Sequence, residues 1–210
     1  MMPRTLRHTE QAAKMQSDWS VECGWDDPVV VIPWASEDGS IRYIDLRESP
    51  GEIAAILEAT QYPALASALL RCNRPESPLF TAKCDVWNYP ADQFDTEDCA
   101  GNAYAHASYL DLVAVDPAAF LSFHASERRL REWSRLAQSI SLLDSRSEWT
   151  LRPARILPAT SPLAADEPLD GYATTLYVWG YGDSAASATV AWSTALLALI
   201  EPVLFAQSQP

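Results

Sequence analysis

Two alternating stretches set the strongest constraint on this chain's fold. They are residues 79–87 (LFTAKCDVW) and residues 104–115 (YAHASYLDLVAV). In the first, Phe80, Ala82, Cys84 and Val86 alternate with Thr81, Lys83, Asp85 and Trp87. In the second, Ser108, Leu110, Leu112 and Ala114 alternate with Tyr109, Asp111 and Val113. Successive strand side chains point to opposite faces, so each stretch presents one apolar face and one face of charges and aromatics. That pattern predicts an antiparallel hairpin covered on one side. The connection, residues 88–103, carries Asp92, Asp95, Glu97 and Asp98 and is too long for a tight turn.

The hairpin is followed by a helix signal. Asp116-Pro117 supplies a capping carboxylate and a proline at the first helical position. Phe120, Phe123, Leu130, Trp133, Leu136 and Ile140 then recur at near-helical spacing, with a break expected near Ser126. The same strand-strand-helix order reads on either side. Before the hairpin, residues 28–34 and 41–46 read as strands, and Ser49-Pro50 and Tyr62-Pro63 start helical pieces. After it come residues 148–157, where Pro153 marks an edge or a bulge, and residues 171–181. Gly182-Asp183-Ser184 then caps a helix to about residue 200. Tyr43-Ile44-Asp45-Leu46 matches Tyr109-Leu110-Asp111-Leu112, which suggests an internal repeat. The expected fold is α+β: a mostly antiparallel sheet of about six strands with helices on one face. It is built from three strand-strand-helix units, 28–74, 79–142 and 148–201, in a single domain spanning 28–201. Residues 1–27 are expected to be a flexible arm and residues 202–210 a tail.

Composition narrows the function classes. With 48% apolar residues among 210, a sizeable core needs no staples. A net charge of −13 argues against nucleic acid or an anionic membrane as partner. No apolar run reaches the roughly 18 residues of a membrane span. The first residues lack the apolar segment of a secretory signal, so the cytoplasm is the expected location. The cysteines at 23, 72, 84 and 99 show no paired ligand spacing, and no metal site is expected. No GxSxG, Walker-type, GxGxxG or HExxH motif is present, and no cofactor is expected. GYGD at 180–183 reads as a helix cap.

The candidate site follows from strand parity. The sheet face left by the helices should carry Tyr43, Asp45, Lys83, Asp85, Trp87, Tyr109, Asp111, Arg152, Thr175, Tyr177, Trp179 and Tyr181. Aromatics with a few placed charges are typical of binding surfaces. The expected function is a non-catalytic binding protein that uses this open aromatic and acidic face for a protein, peptide or small ligand. Tyr43, Lys83, Asp85, Trp87, Tyr109, Asp111, Arg152, Tyr177 and Trp179 are its expected contact residues. The acidic balance suits a basic partner, as an inhibitor or immunity-type protein would meet, and a homodimer through the same face is a further use. The alternative is a small metal-dependent or acid-base hydrolase built on Asp45, Asp85 and Asp111. A Cys84–His106 nucleophile pair is disfavoured, because parity puts Cys84 on the core side.

Overall fold

The computed structural model describes residues 14–90, 101–158, 160, 162–163 and 166–205. Residues 1–13 of the expected arm, the acidic residues 92–98, Cys99 and residues 206–210 of the tail lie outside these. The fold is α+β with a six-stranded, mostly antiparallel sheet. Its strands are β1 (Gln16–Val21), β2 (Val30–Ile32), β3 (Leu79–Pro90), β4 (Tyr104–Ala114), β5 (Ser145–Ile156) and β6 (Leu169–Gly182). The strand order is β1-β5-β6-β4-β3, and β2 also lies against β5. The β3–β4, β4–β6 and β5–β6 pairings are antiparallel, whereas β1 and β2 run parallel to β5.

The central hairpin forms as the alternation predicts, with one consequential departure. Thr81 pairs with Leu112 and Cys84 with Leu110, so Ala82 and Lys83 together oppose Asp111. This extra residue is a β-bulge, and it reverses the parity of everything before it. Cys84 and Val86 face the helices as expected. Phe80 and Ala82, expected beside them, instead enter a second cluster with Ile32, Val113, Phe120 and Ala173. Thr81 turns to the helix side, where its backbone N–H donates to Asn73 Oδ1 at 3.1 Å.

The helices are α1 (Leu57–Gln61), α2 (Pro63–Cys72), α3 (Pro117–Leu121), α4 (Phe123–Ala137) and α5 (Ala185–Phe205). Asp116 caps α3 by accepting from the N–H groups of Ala118 and Ala119. The expected break comes at Ser122 and not at Ser126. Ser122 has extended backbone angles and its Oγ accepts from the Ala125 N–H, so one residue ends α3 and caps α4. The larger core cluster lies between the sheet and α1, α2, α4 and α5. Ala188, Trp192, Ala195, Leu196 and Leu199 of α5 are fully buried there. Ala185–Pro202 is apolar enough in composition to cross a membrane, but this stripe packs on β6 and β4.

Two segments depart from the sequence reading. Residues 16–21, expected within an arm, form β1, because Ser17 is buried in a polar network that joins β1 to α4 and β5. Ser147 Oγ (2.8 Å) and Trp149 Nε1 (3.2 Å) donate to Ser17 Oγ, and Gln138 Nε2 donates to the Ser17 carbonyl at 2.8 Å. Residues 41–46 are not a strand: a single bridge, Ala35–Arg42, joins them to the preceding segment. The first of the three units therefore lacks its strand pair, while the second and third contain theirs. Pro153 lies in β5 at the gap between the β1 and β2 ladders, where the outer side of the strand is locally an edge. The Glu22 N–H donates to the Leu151 carbonyl at 2.9 Å. The next rung of a parallel ladder would need an N–H at residue 153, which proline lacks. The chain leaves the sheet there and returns as β2 opposite Ala154.

Gly180 and Gly182 explain the GYG run. A Cβ at Gly180 would stand 1.9 Å from the Trp192 backbone nitrogen, and one at Gly182 2.7 Å from that of Ala188. Both glycines let α5 settle directly on β6, and the helix cap is made by Ser184, whose Oγ accepts from the Ser187 N–H at 3.2 Å. Gly180→Ala should therefore cost more than about 3 kcal/mol, by forcing α5 off the sheet. Urea denaturation should show a large fall in midpoint or no folded baseline; a shift of under half a kcal/mol would refute the close-approach role.

Candidate functional site

The second sheet face is divided. At one end, Val30 and Ile32 of β2, Tyr43, Phe120 of α3 and buried Leu163 pack with Phe80, Val113, Ala154, Ile156 and Ala173. At the other end the sheet carries a row of rings across three neighbouring strands. Trp87 of β3 meets Tyr109 of β4 at 6.1 Å between centroids. Tyr109 meets Tyr177 of β6 at 5.9 Å, and Tyr177 stacks on Trp179 at 5.7 Å. The register makes this possible: Tyr109 pairs with Asp85 on one side and Tyr177 on the other, so one face of β4 aligns the row. Each ring is half-buried, while Thr150, Thr175 and Asp111 on the same face are buried.

Cations border the rings. Arg152 lies 5.8 Å from the Tyr177 centroid, and Arg146 5.5 Å from that of Trp179. Lys83 places its ammonium 4.8 Å from the Trp34 ring. Arg152 is also fixed by Glu22, which receives its Nε (2.9 Å) and Nη2 (2.7 Å) on one oxygen. Where the row meets the covering chain, a cleft of about 430 Å³ opens. Pro28, Val29, Val30 and Val31 form one wall, Tyr109, Asp111 and Tyr177 line it from the sheet, and Trp34, Lys83 and Arg152 complete it.

Asp111 is 5% exposed. Its Oδ1 accepts from Thr175 Oγ1 at 2.6 Å. Burial holds its carboxyl above the ordinary range, against the opposing pull of Thr175, Arg152 and Lys83. Burial also raises the Tyr109 hydroxyl, helped by Asp111 and Asp85.

Of the nine expected contact residues, Lys83, Tyr109, Asp111, Arg152 and Tyr177 line this one cleft. Trp87 and Trp179 extend it along the ring row. Asp85 is exposed midway along the edge strand β3, opposite Tyr109, and its Oδ1 accepts from the Val86 N–H at 2.7 Å. Tyr43 does not join the site. It packs against the second cluster, because residues 41–46 are not a strand and parity does not apply to them. Asp45 sits in the same irregular stretch and accepts from the Arg47 N–H at 3.0 Å. Asp45, Asp85 and Asp111 are thus not gathered, and no cluster of three metal-ligating side chains occurs among the described residues. Trp34 and the wall at 28–31 were not foreseen as site residues. The run PVVVIPW signals a strand, but nothing local says that it crosses the sheet face.

The Cys84–His106 pair does not form. Burial, then Glu58, Asp85 and Asp111, push the Cys84 thiol up to about 12. His106 is fully buried on the helix side between Trp192 (4.4 Å) and Tyr62 (4.9 Å). Its Nδ1 pairs with the Asn88 side-chain oxygen, and its Nε2 has no hydrogen-bond partner among the described residues.

No protein-family model matches this chain, and comparisons with curated proteins and with solved structures returned no match.

Desolvation lowers the His106 pKa to about 4. The unfolded chain, with a histidine near 6.5, takes up the proton first on acidification. Stability from this group should be complete above about pH 7 and fall by up to roughly 3 kcal/mol toward pH 4. Denaturation of wild type and His106→Asn across this range should give curves that converge as pH falls. Parallel curves would show that the imidazole does not titrate in this way.

Proposed function

We propose that this chain is a non-catalytic binding protein whose site is the uncovered half of the second sheet face. The observation that carries the reading is the row Trp87–Tyr109–Tyr177–Trp179, in ring-to-ring contact across three strands and bordered by Lys83, Arg146 and Arg152. A row of partly exposed rings beside a cleft offers apolar area at low entropic cost and polar groups that fix orientation. The rings stand on hydrogen-bonded strands, so the surface is formed before a ligand arrives, which limits the ordering cost of binding. The separation of Asp45 from Asp85 and Asp111 gives no support to a hydrolase, so the binding reading stands ahead of it.

Substitution separates a binding face from a packing face. Tyr177→Ala and Trp179→Ala should lower the melting temperature by only a few degrees, since both rings are half-buried. A thermal-shift screen of small amphipathic molecules and peptides should find compounds that stabilise the wild type and leave Tyr177→Ala unshifted. Hits that stabilise both proteins equally would move the site elsewhere, and a collapse of the variant itself would make the row a structural element.

A further inference from the structure

We propose that the cleft between Trp34 and Arg152 binds a small carboxylic acid with an apolar body, its carboxylate held by Lys83. This rests on the reading of the half-open face as a binding site and names its ligand class. The cleft, at about 430 Å³, has the size of a small-molecule site. Its wall of Pro28, Val29, Val30 and Val31, facing the Tyr109 and Tyr177 rings, is suited to an aliphatic or aromatic body.

Charge decides the other end of the ligand. The charged side chains lining the cleft are Lys83, Arg152 and Asp111, two cations to one carboxyl. Asp111 is buried against Thr175, and Arg152 is paired with Glu22, so the Lys83 ammonium is the lining's available positive charge on a chain of net charge −13. The field of the whole molecule repels polyanions, while the cleft attracts a single negative charge. Arg152 is already held by Glu22. Lys83 is exposed, rests on Trp34 and has no ion pair among the described residues, so its ammonium is the group available to the ligand. A larger cleft of about 570 Å³ opens beside Cys23, Leu121 and Tyr172, but its charged pair is mutually satisfied. Arg155 donates to Asp170 at 2.6 Å and 2.9 Å, leaving no comparable anchor.

Calorimetric titration of the full chain with three probes of one shape tests this: phenylacetate, phenylacetamide and phenethylammonium. Phenylacetate should bind at least about tenfold more tightly than the neutral or cationic probe. Lys83→Gln should weaken it about tenfold and Lys83→Arg should restore it. Asp111→Asn keeps an oxygen for Thr175 and removes the opposing charge, so phenylacetate should bind several-fold more tightly. Equal binding of the three probes, or indifference to Lys83→Gln, would overturn the carboxylate assignment. If Tyr177→Ala still abolished that binding, the face would remain the site. No binding of any probe would also overturn the assignment, and the thermal-shift screen would then decide the face independently.

Discussion

The arrangement of the second face depends on the two-against-one bulge at Ala82 and Lys83. Without it, Phe80 and Cys84 would share a face, as their spacing implies. With it, Phe80 and Ala82 turn to the second cluster while Cys84 and Val86 keep the helix side. One strand thereby feeds two cores, and Lys83 is aimed across Asp111 toward Trp34. The energetic reason is visible in what each residue reaches. Phe80 is 1% exposed among Ile32, Val113 and Ala173, a burial on the order of 2–3 kcal/mol for a large apolar side chain. The unpaired bulge backbone is compensated where the Trp34 indole donates to the Ala82 carbonyl at 2.9 Å.

That hydrogen bond belongs to a wider pattern. β3 is an edge strand, and an open edge invites pairing with other chains. Here side chains occupy its outward groups in turn. Ser77 accepts from the Leu79 N–H, Arg47 donates to the Leu79 carbonyl, Asn73 accepts from Thr81, and Asp85 accepts from Val86. Asp85 thus has a structural task at the edge, which accounts for a carboxylate that looked catalytic in the sequence. On the opposite side of the sheet, the missing N–H of Pro153 divides the outer partner of β5 into β1 and β2. The segment between them supplies Pro28 and Val29 to the cleft wall.

Much of the candidate site's placement on the sheet was legible from parity. Lys83, Trp87, Tyr109, Asp111, Arg152, Tyr177 and Trp179 all lie where alternation in β3 to β6 puts them, because register in a half-buried sheet is enforced by the buried side. Parity failed where no strand exists. Tyr43 and Asp45 sit in a phrase that repeats the hairpin's YLDL, but the repeat carries neither a buried partner strand nor a ladder. Trp34 was missed because its role depends on the chain crossing the sheet, a contact 48 residues distant in sequence from Ala82.

Local periodicity and end signals by themselves determined the secondary elements: the central hairpin, β6, the capped helices and the apolar stripe of α5. These depend on interactions a few residues apart. The tertiary structure alone decided the rest. It docked β1 through the buried Ser17 network, made GYG a seat for α5 where the sequence reads as a helix cap, and kept the three aspartates from gathering. It also covered one half of the second face while leaving the aromatic half open. Each of those outcomes is set by packing between segments far apart in the chain, and no local pattern encodes which distant surface will be available to cover an exposed one.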